Sequence, residues 1–281
     1  QVNGCSTQVI TNVILDNELP MPNAGKDELL NCKVTQINLD ASKSTAKHGM
    51  DFQWSTTNGS IISNPNQPKI NIQSPGLYIL EVTDNYTGCI STDTVEVKSD
   101  VQKPIANISF SDTLNCRNST VQINGLGSSI GTRMQYKWTS ANGNILSDPK
   151  QLIIDVDRAG MYIIEVLDSV NGCVSYDTIQ VIENKLKPII TIDNPKLLTC
   201  KILSTDLSAQ LNNVNPNHTI QWYTNNGQIV SGQNTLNPKV NLKGIYYIKI
   251  INTENGCESI DSVTVSQNTN YPTQVNAEVI Q

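Results

Sequence analysis

The chain has 281 residues, with 19 Lys and Arg against 25 Asp and Glu, a net charge of −6 at neutral pH. That balance excludes the basic footprint that nucleic acid or an anionic membrane surface would require. No apolar run is long enough to cross a bilayer, and the modest acidity by itself names no partner.

Seven cysteines stand at positions 5, 32, 89, 116, 173, 200 and 257. Their spacings alternate between 27 and 57, so the chain repeats every 84 residues without insertion or deletion. Trp54, Trp138 and Trp222 keep the period, as do Tyr78, Tyr162 and Tyr246, and Pro20, Pro104, Pro188 and Pro272. A period this long is a small domain and not a solenoid turn. The expected division is 1–19, last strand of a preceding repeat; repeats 20–103, 104–187 and 188–271; and 272–281, first strand of a following repeat. Gly4-Cys5 matches Gly88-Cys89, Gly172-Cys173 and Gly256-Cys257. The sequence therefore reads as a window on a longer array, and its first residues have no basic and apolar signal regions.

Within one repeat the first strand is expected from Pro20 to about Cys32. Ile37, Leu39 and Ala41 alternate with polar residues and predict a half-buried second strand. The third carries Phe52 and Trp54. Asn58-Gly59, Asn142-Gly143 and Asn226-Gly227 follow, and predict type I′ hairpins with positive φ at both central residues. A segment ending at Ile72, Val156 or Val240 comes next, and then the most regular strand, Gly76-Leu77-Tyr78-Ile79-Leu80-Glu81-Val82. The turn Asn85-Tyr86-Thr87-Gly88 leads to a last strand with Val95 and Val97. Helical periodicity appears nowhere. Seven or so short strands per repeat predict an all-β tandem array of immunoglobulin-like β-sandwiches. In that plan Trp54, Trp138, Trp222, Tyr78, Tyr162 and Tyr246 are core residues.

Regular cysteines with no C-x-x-C pair and only two histidines argue for disulfides formed in an oxidising compartment, not for zinc. Domains of this size have modest cores and profit from such staples.

Leu30-Asn31-Cys32, Trp54, Asn58-Gly59, Gly76-Leu77-Tyr78, Gly88-Cys89 and Asp93-Thr94-Val95 recur through the chain. This string resembles the immunoglobulin-like or PKD-like repeats of large Bacteroidetes surface proteins. The resemblance implies export, commonly by the type IX route, and a role in adhesins, stalks or surface filaments. It departs from antibody domains, because Leu39 and Leu80 stand where the inter-sheet disulfide would be. It also implies O-glycosylation at Asp-Ser/Thr-apolar tripeptides, here at Thr94, Thr113, Ser169, Thr178 and Ser262. The plain alternative is a common tripeptide on a β-surface.

In a sandwich of this type two cysteine pairings stay open. Bridges within repeats would be Cys32–Cys89, Cys116–Cys173 and Cys200–Cys257. Strand direction places Cys32 and Cys89 at opposite poles, however, and a ten-residue strand spans roughly 33 Å while bridged Cα atoms lie within about 7 Å. Geometry thus favours bridges between neighbours, Cys32–Cys173 and Cys116–Cys257, with Cys5, Cys89 and Cys200 paired outside this window. Loop entropy decides nothing, since the longer loop adds only about 0.8 kcal/mol.

No catalytic constellation is visible: G-x-S-x-G, H-E-x-x-H, P-loop and Rossmann fingerprints are all missing from the sequence. His48 and His218 occupy non-equivalent positions. Asp155 and Asp157 offer at most a single weak calcium site. The expectation is no enzyme, no cofactor and no resident metal. Two functions follow. One is the shaft of an extracellular adhesin or filament, stiffened by disulfides and short junctions, each repeat adding about 35–40 Å. Its partners are neighbouring repeats, or other copies in a filament. The alternative is a module binding carbohydrate or a cell surface through the variable loops Ser42–Met50, Leu126–Met134 and Gln210–Thr219.

Overall fold

The computed structural model describes residues 4–110, 112–212 and 217–270. The expected strand at 272–281 and part of the variable loop 210–219 lie outside the described residues. The chain divides into two compact units. One holds the residues up to Ala106 with Ser128–Gln135 and Glu165–Tyr176; the other holds Asn107–Gly127, Tyr136–Ile164 and the residues from Asp177 on.

In the first unit six strands carry the first repeat: β1 (Glu28–Asn31), β2 (Ile37–Asp40), β3 (Met50–Thr56), β4 (Lys69–Ile72), β5 (Gly76–Asp84) and β6 (Ile90–Asp100). One sheet has the order β1-β6-β5-β3, and β2 pairs with β4 in the other. The pairs β3–β5 and β5–β6 are antiparallel, and β1 runs parallel to β6 with Glu28 opposite Val97. Alternation drives the layering. Along β5 Tyr78, Leu80 and Val82 are fully buried while Leu77 remains exposed. They pack with Leu39, Trp54, Ile70, Ile72 and Val95 between the two sheets. Each buried aliphatic side chain contributes about 1.5–3 kcal/mol, so this inner layer is the main source of cohesion.

The second unit repeats the plan. Val121–Asn124 pairs antiparallel with Ile153–Val156. Gly244–Asn252 pairs antiparallel with both His218–Thr224 and Glu258–Val265. The strands equivalent to β3 start at Met134 and His218, and those equivalent to β5 at Gly160 and Gly244. Trp138, Trp222, Tyr162 and Tyr246 are buried to 2% exposure or less.

The structure corrects two sequence expectations. Pro20 to Cys32 is not one strand. Met21 bridges Thr45, whereas Glu28–Asn31 crosses to the other sheet and pairs with β6. Such parallel pairing is long-range and leaves no local signature. Nor does Asn58-Gly59 make a hairpin, because β3 pairs with β5 and the dipeptide carries the chain between sheets. Gly59, Gly143 and Gly227 are not among the positive-φ glycines. They are small for another reason: a Cβ on Gly59 would lie 2.5 Å from the Tyr78 hydroxyl, and those on Gly143 and Gly227 would meet Tyr162 and Tyr246 closer still. Asn58 Oδ1 meanwhile accepts the Leu77 N–H at 2.9 Å. The tyrosine hydroxyls complete this corner. Tyr78 donates to the Ser74 carbonyl at 2.7 Å and accepts the Ser60 N–H at 3.1 Å. Tyr162 and Tyr246 do the same with Arg158 and Asn144, and with Leu242 and Gln228.

Candidate functional site

The densest polar chemistry lies where the turn after one repeat's β1 meets the loop between the last two strands of the next. Asn31 starts the turn: its Oδ1 accepts the N–H groups of Lys33 and Val34 at 2.9 and 2.8 Å, and its own N–H reaches the Val34 carbonyl. This tight knuckle presents Cys32 outward. The facing loop is shaped by Asp168, which accepts the Val170 N–H, and by Gly172 with φ +75°. A side chain at Gly172 would be strained at that φ and would also collide with Lys33.

Cys32 and Cys173 are disulfide-bonded with Cα atoms 5.0 Å apart. Cys32 N–H donates to the Asn171 carbonyl at 3.0 Å, and Lys33 Nζ donates to the Ser169 carbonyl at 2.7 Å. Asn171 is 1% exposed. Its Nδ2 donates to Asp100 Oδ1 and to the Gln102 carbonyl at 2.9 and 3.0 Å, while its Oδ1 accepts the Cys173 N–H. Arg133 joins the two sides by charge. Its Nε donates to Asp168 at 2.5 Å and its Nη2 lies 3.6 Å from Asp100. That guanidinium, ahead of the loop N–H groups, holds the Asp168 carboxyl below the usual carboxylate range.

The second unit contains the same joint. Cys116 and Cys257 are bonded with Cα atoms 4.9 Å apart. Cys116 N–H donates to the Asn255 carbonyl and Arg117 to the Thr253 carbonyl. The Asn255 amide grips Asn184 Oδ1 and the Leu186 carbonyl at 3.0 and 2.9 Å. Asn184 and Asn252 stand where Asp100 and Asp168 stood, so here neutral amides replace the charged pair.

The equivalent loop of the first repeat, at Cys89, keeps the fold of its counterparts. Gly88 has φ +70° and its N–H donates to the Asp84 carbonyl. Asp84 Oδ1 accepts the Tyr86 and Thr87 N–H groups, which with that of His48 hold its carboxyl well below the usual range. Cys89 is a free thiol and half-buried; Cys200 is a free thiol and exposed. Thr199 Oγ1 accepts the Lys201 and Ile202 N–H groups, so the Cys200 knuckle has the same turn.

Two of the Asp-Thr tripeptides have a packing role. Asp93 Oδ2 accepts the Ala24 N–H at 2.8 Å, and Asp177 Oδ2 accepts the Ile108 N–H at 2.7 Å. Each pins the start of its repeat to the last strand. Thr94, Thr178 and Ser262 are exposed, and Thr113 and Ser169 are half-buried. Ser169 also donates to the Arg133 carbonyl. Asp155 and Asp157 engage Gln122 and Asn144 and do not converge. Among the described residues no group of three or more metal-ligating side chains occurs. Sequence reasoning missed Asn171 and Asn255, although Asn-Gly-Cys recurs. An asparagine before a glycine signals a turn first and a buried clamp only once its partner is known.

Strand order defines the class: tandem immunoglobulin-like β-sandwich repeats carrying two disulfides. No protein-family model matches the chain, and no curated protein matches it by sequence. Similar solved structures include the N-terminal eight Ig domains of Down Syndrome Cell Adhesion Molecule. That match is at 12% identity and TM-score 0.40, covering 89% of this chain and 37% of that one. Extracellular domains 3–5 of Drosophila OTK match at 11% identity and TM-score 0.30, covering 89% and 96%. The PKD domain from KIAA 1837 protein matches at 22% identity and TM-score 0.26, covering 33% and 99%.

Proposed function

We propose that this chain is a shaft segment of an extracellular adhesin or surface filament, with repeats at 20–103, 104–187 and 188–271 and no catalytic activity. The observation that carries this reading is the joint itself, built twice with the same disulfide, knuckle and asparagine clamp. A disulfide backed by several hydrogen bonds restricts bending and twisting between successive repeats, which a load-bearing shaft needs and a string of independent binding modules does not. Cys5, Cys89 and Cys200 then belong to joints with further repeats. The resemblance to Bacteroidetes repeats supports a bacterial, secreted setting reached by the type IX route, and disulfides support an oxidising one. Exposed Thr94, Thr178 and Ser262 are the hydroxyls best placed for O-glycosylation; an intact mass from the native source equal to the bare chain would remove that part of the proposal.

The test is a comparison of bending before and after reduction. Negative-stain images of single molecules should show a narrow spread of inter-repeat angles in the oxidised protein and a wider spread after treatment with a phosphine reductant. An unchanged spread would defeat the shaft reading. Specific binding of an isolated repeat on a glycan array would favour the carbohydrate-binding alternative.

A further inference from the structure

Position 133 and its equivalents show how the pole of each repeat is clamped. Arg133, Asn217 and Gly49 are matched residues: the carbonyl of each accepts the N–H of Ser169, Thr253 or Asn85. At Arg133 a permanent cation lies between Asp168 and Asp100. At Asn217 the side chain is a neutral amide that donates to Glu254. At Gly49 there is no side chain at all, and the cationic role passes to the residue before it.

His48 lies between the two equivalent carboxylates. Its Nε2 is 3.5 Å from Asp16 and its Nδ1 is 3.4 Å from Asp84. Asp16 and Asp84 match Asp100 and Asp168 one period earlier. The His48 ring also lies against Tyr86, with ring centroids 4.8 Å apart. Lys47 reaches Asp16 at 2.8 Å and Glu18 at 3.8 Å. These are the charged and titratable groups around the imidazole: two carboxylates in contact, one lysine and Glu18 at the rim, and the Tyr86 ring.

We propose that His48 is a pH-responsive clamp, the titratable counterpart of Arg133, which tightens the segment around Asp16 onto the pole of the first repeat when it becomes protonated. The physics follows from the inventory of donors. Imidazolium has two N–H groups and can serve both carboxylates at once. Neutral imidazole has one, so its other nitrogen turns a lone pair towards a carboxylate oxygen. Imidazole is the side chain whose charge changes within about pH 5 to 8. Asp84 and Asp16 stay ionised over that range, because loop N–H groups hold Asp84 low and Lys47 holds Asp16 low. Mild acidification therefore adds one attractive charge without removing its partners. Lys47 keeps part of the attachment at every pH in this range, so His48 adjusts the docking and does not create it. That the segment belongs to a joint rests on the shaft reading; the clamp itself is tested without it.

The experiment is an NMR titration of the whole oxidised chain from pH 8 to pH 5.5. It follows the imidazole of His48, with His218 as internal reference, the carboxyl carbons of Asp16 and Asp84, and heteronuclear NOE values for residues 13–18. The expected result is a docked-to-undocked ratio that rises about two- to fivefold, as for a partly exposed ion pair. NOE values near Asp16 should rise with the same midpoint as the His48 imidazole. His48→Arg should hold the segment at the higher, pH 5.5 level of order at both ends of the range, and His48→Gln should hold it at the lower level that Lys47 alone maintains. Order near Asp16 that does not change with His48 protonation would overturn the proposal. So would a His48→Arg chain that keeps the wild-type pH dependence. Failure of the shaft reading would appear instead as unaltered bending on reduction, which this titration does not measure.

Discussion

Gly143 shows how much one hydrogen atom decides at the residue scale. Any side chain there would enter the Tyr162 ring and hydroxyl, so Gly143→Ala is expected to cost about 1–3 kcal/mol. Tyr162→Phe in the same chain should recover part of that loss, since the hydroxyl is among the first atoms met. Denaturant midpoints of the wild type, both single variants and the double variant give the coupling. The tryptophans make a second comparison. Trp138 Nε1 donates to the Gln151 carbonyl at 2.8 Å, whereas Trp54 Nε1 is buried with no acceptor. Replacement by Phe should therefore destabilise by about 1 kcal/mol more at Trp138 than at Trp54, measured by the same unfolding curves. Recurrence of Trp and Tyr was legible in the sequence as core. The Asn-Gly pair was legible only as a bend, because the same dipeptide can supply either positive φ or empty space. Which of the two applies depends on a tyrosine hydroxyl 19 residues beyond the glycine.

At the scale of elements, the loop between the last two strands of each repeat separates by chemistry. Asp84 and Asp168 bond loop N–H groups through carboxylates, while Asn252 accepts the Glu254 N–H through a neutral amide. The carboxyls of Asp84 and Asp168 are held below their usual range. A depressed carboxyl contributes stability that is present above its unfolded-state pKa and is lost as pH falls through the folded value. Acidification below the usual carboxylate range should thus raise amide exchange at Thr87 and Val170 well before Glu254. Hydrogen-exchange mass spectrometry at pH 2.5 and pH 6, corrected for intrinsic rates, checks the difference. The central strands and this hairpin were readable from alternation and turn residues. The split of the first strand was not, because its second half is fixed by parallel pairing with β6, some 69 residues away (Glu28 opposite Val97).

For the whole molecule, cysteine spacing alone cannot distinguish a bond closing 57 residues from one closing 141; strand direction can, because it says which poles meet. The first joint draws on a knuckle and the end of the last strand beside it, and on two neighbouring loops one repeat later. Removal of residues 104–187 should consequently bring Cys257 to the place of Cys173, and a non-reducing peptide map should show Cys32 linked to Cys257. Persistence of a free Cys32 in that shortened chain would mean that the second repeat carries features its neighbour does not share. If the bond forms, chain length becomes a heritable variable independent of the fold. Unequal exchange between 84-residue stretches of the gene would then lengthen or shorten the product by whole repeats, leaving each internal seam complete.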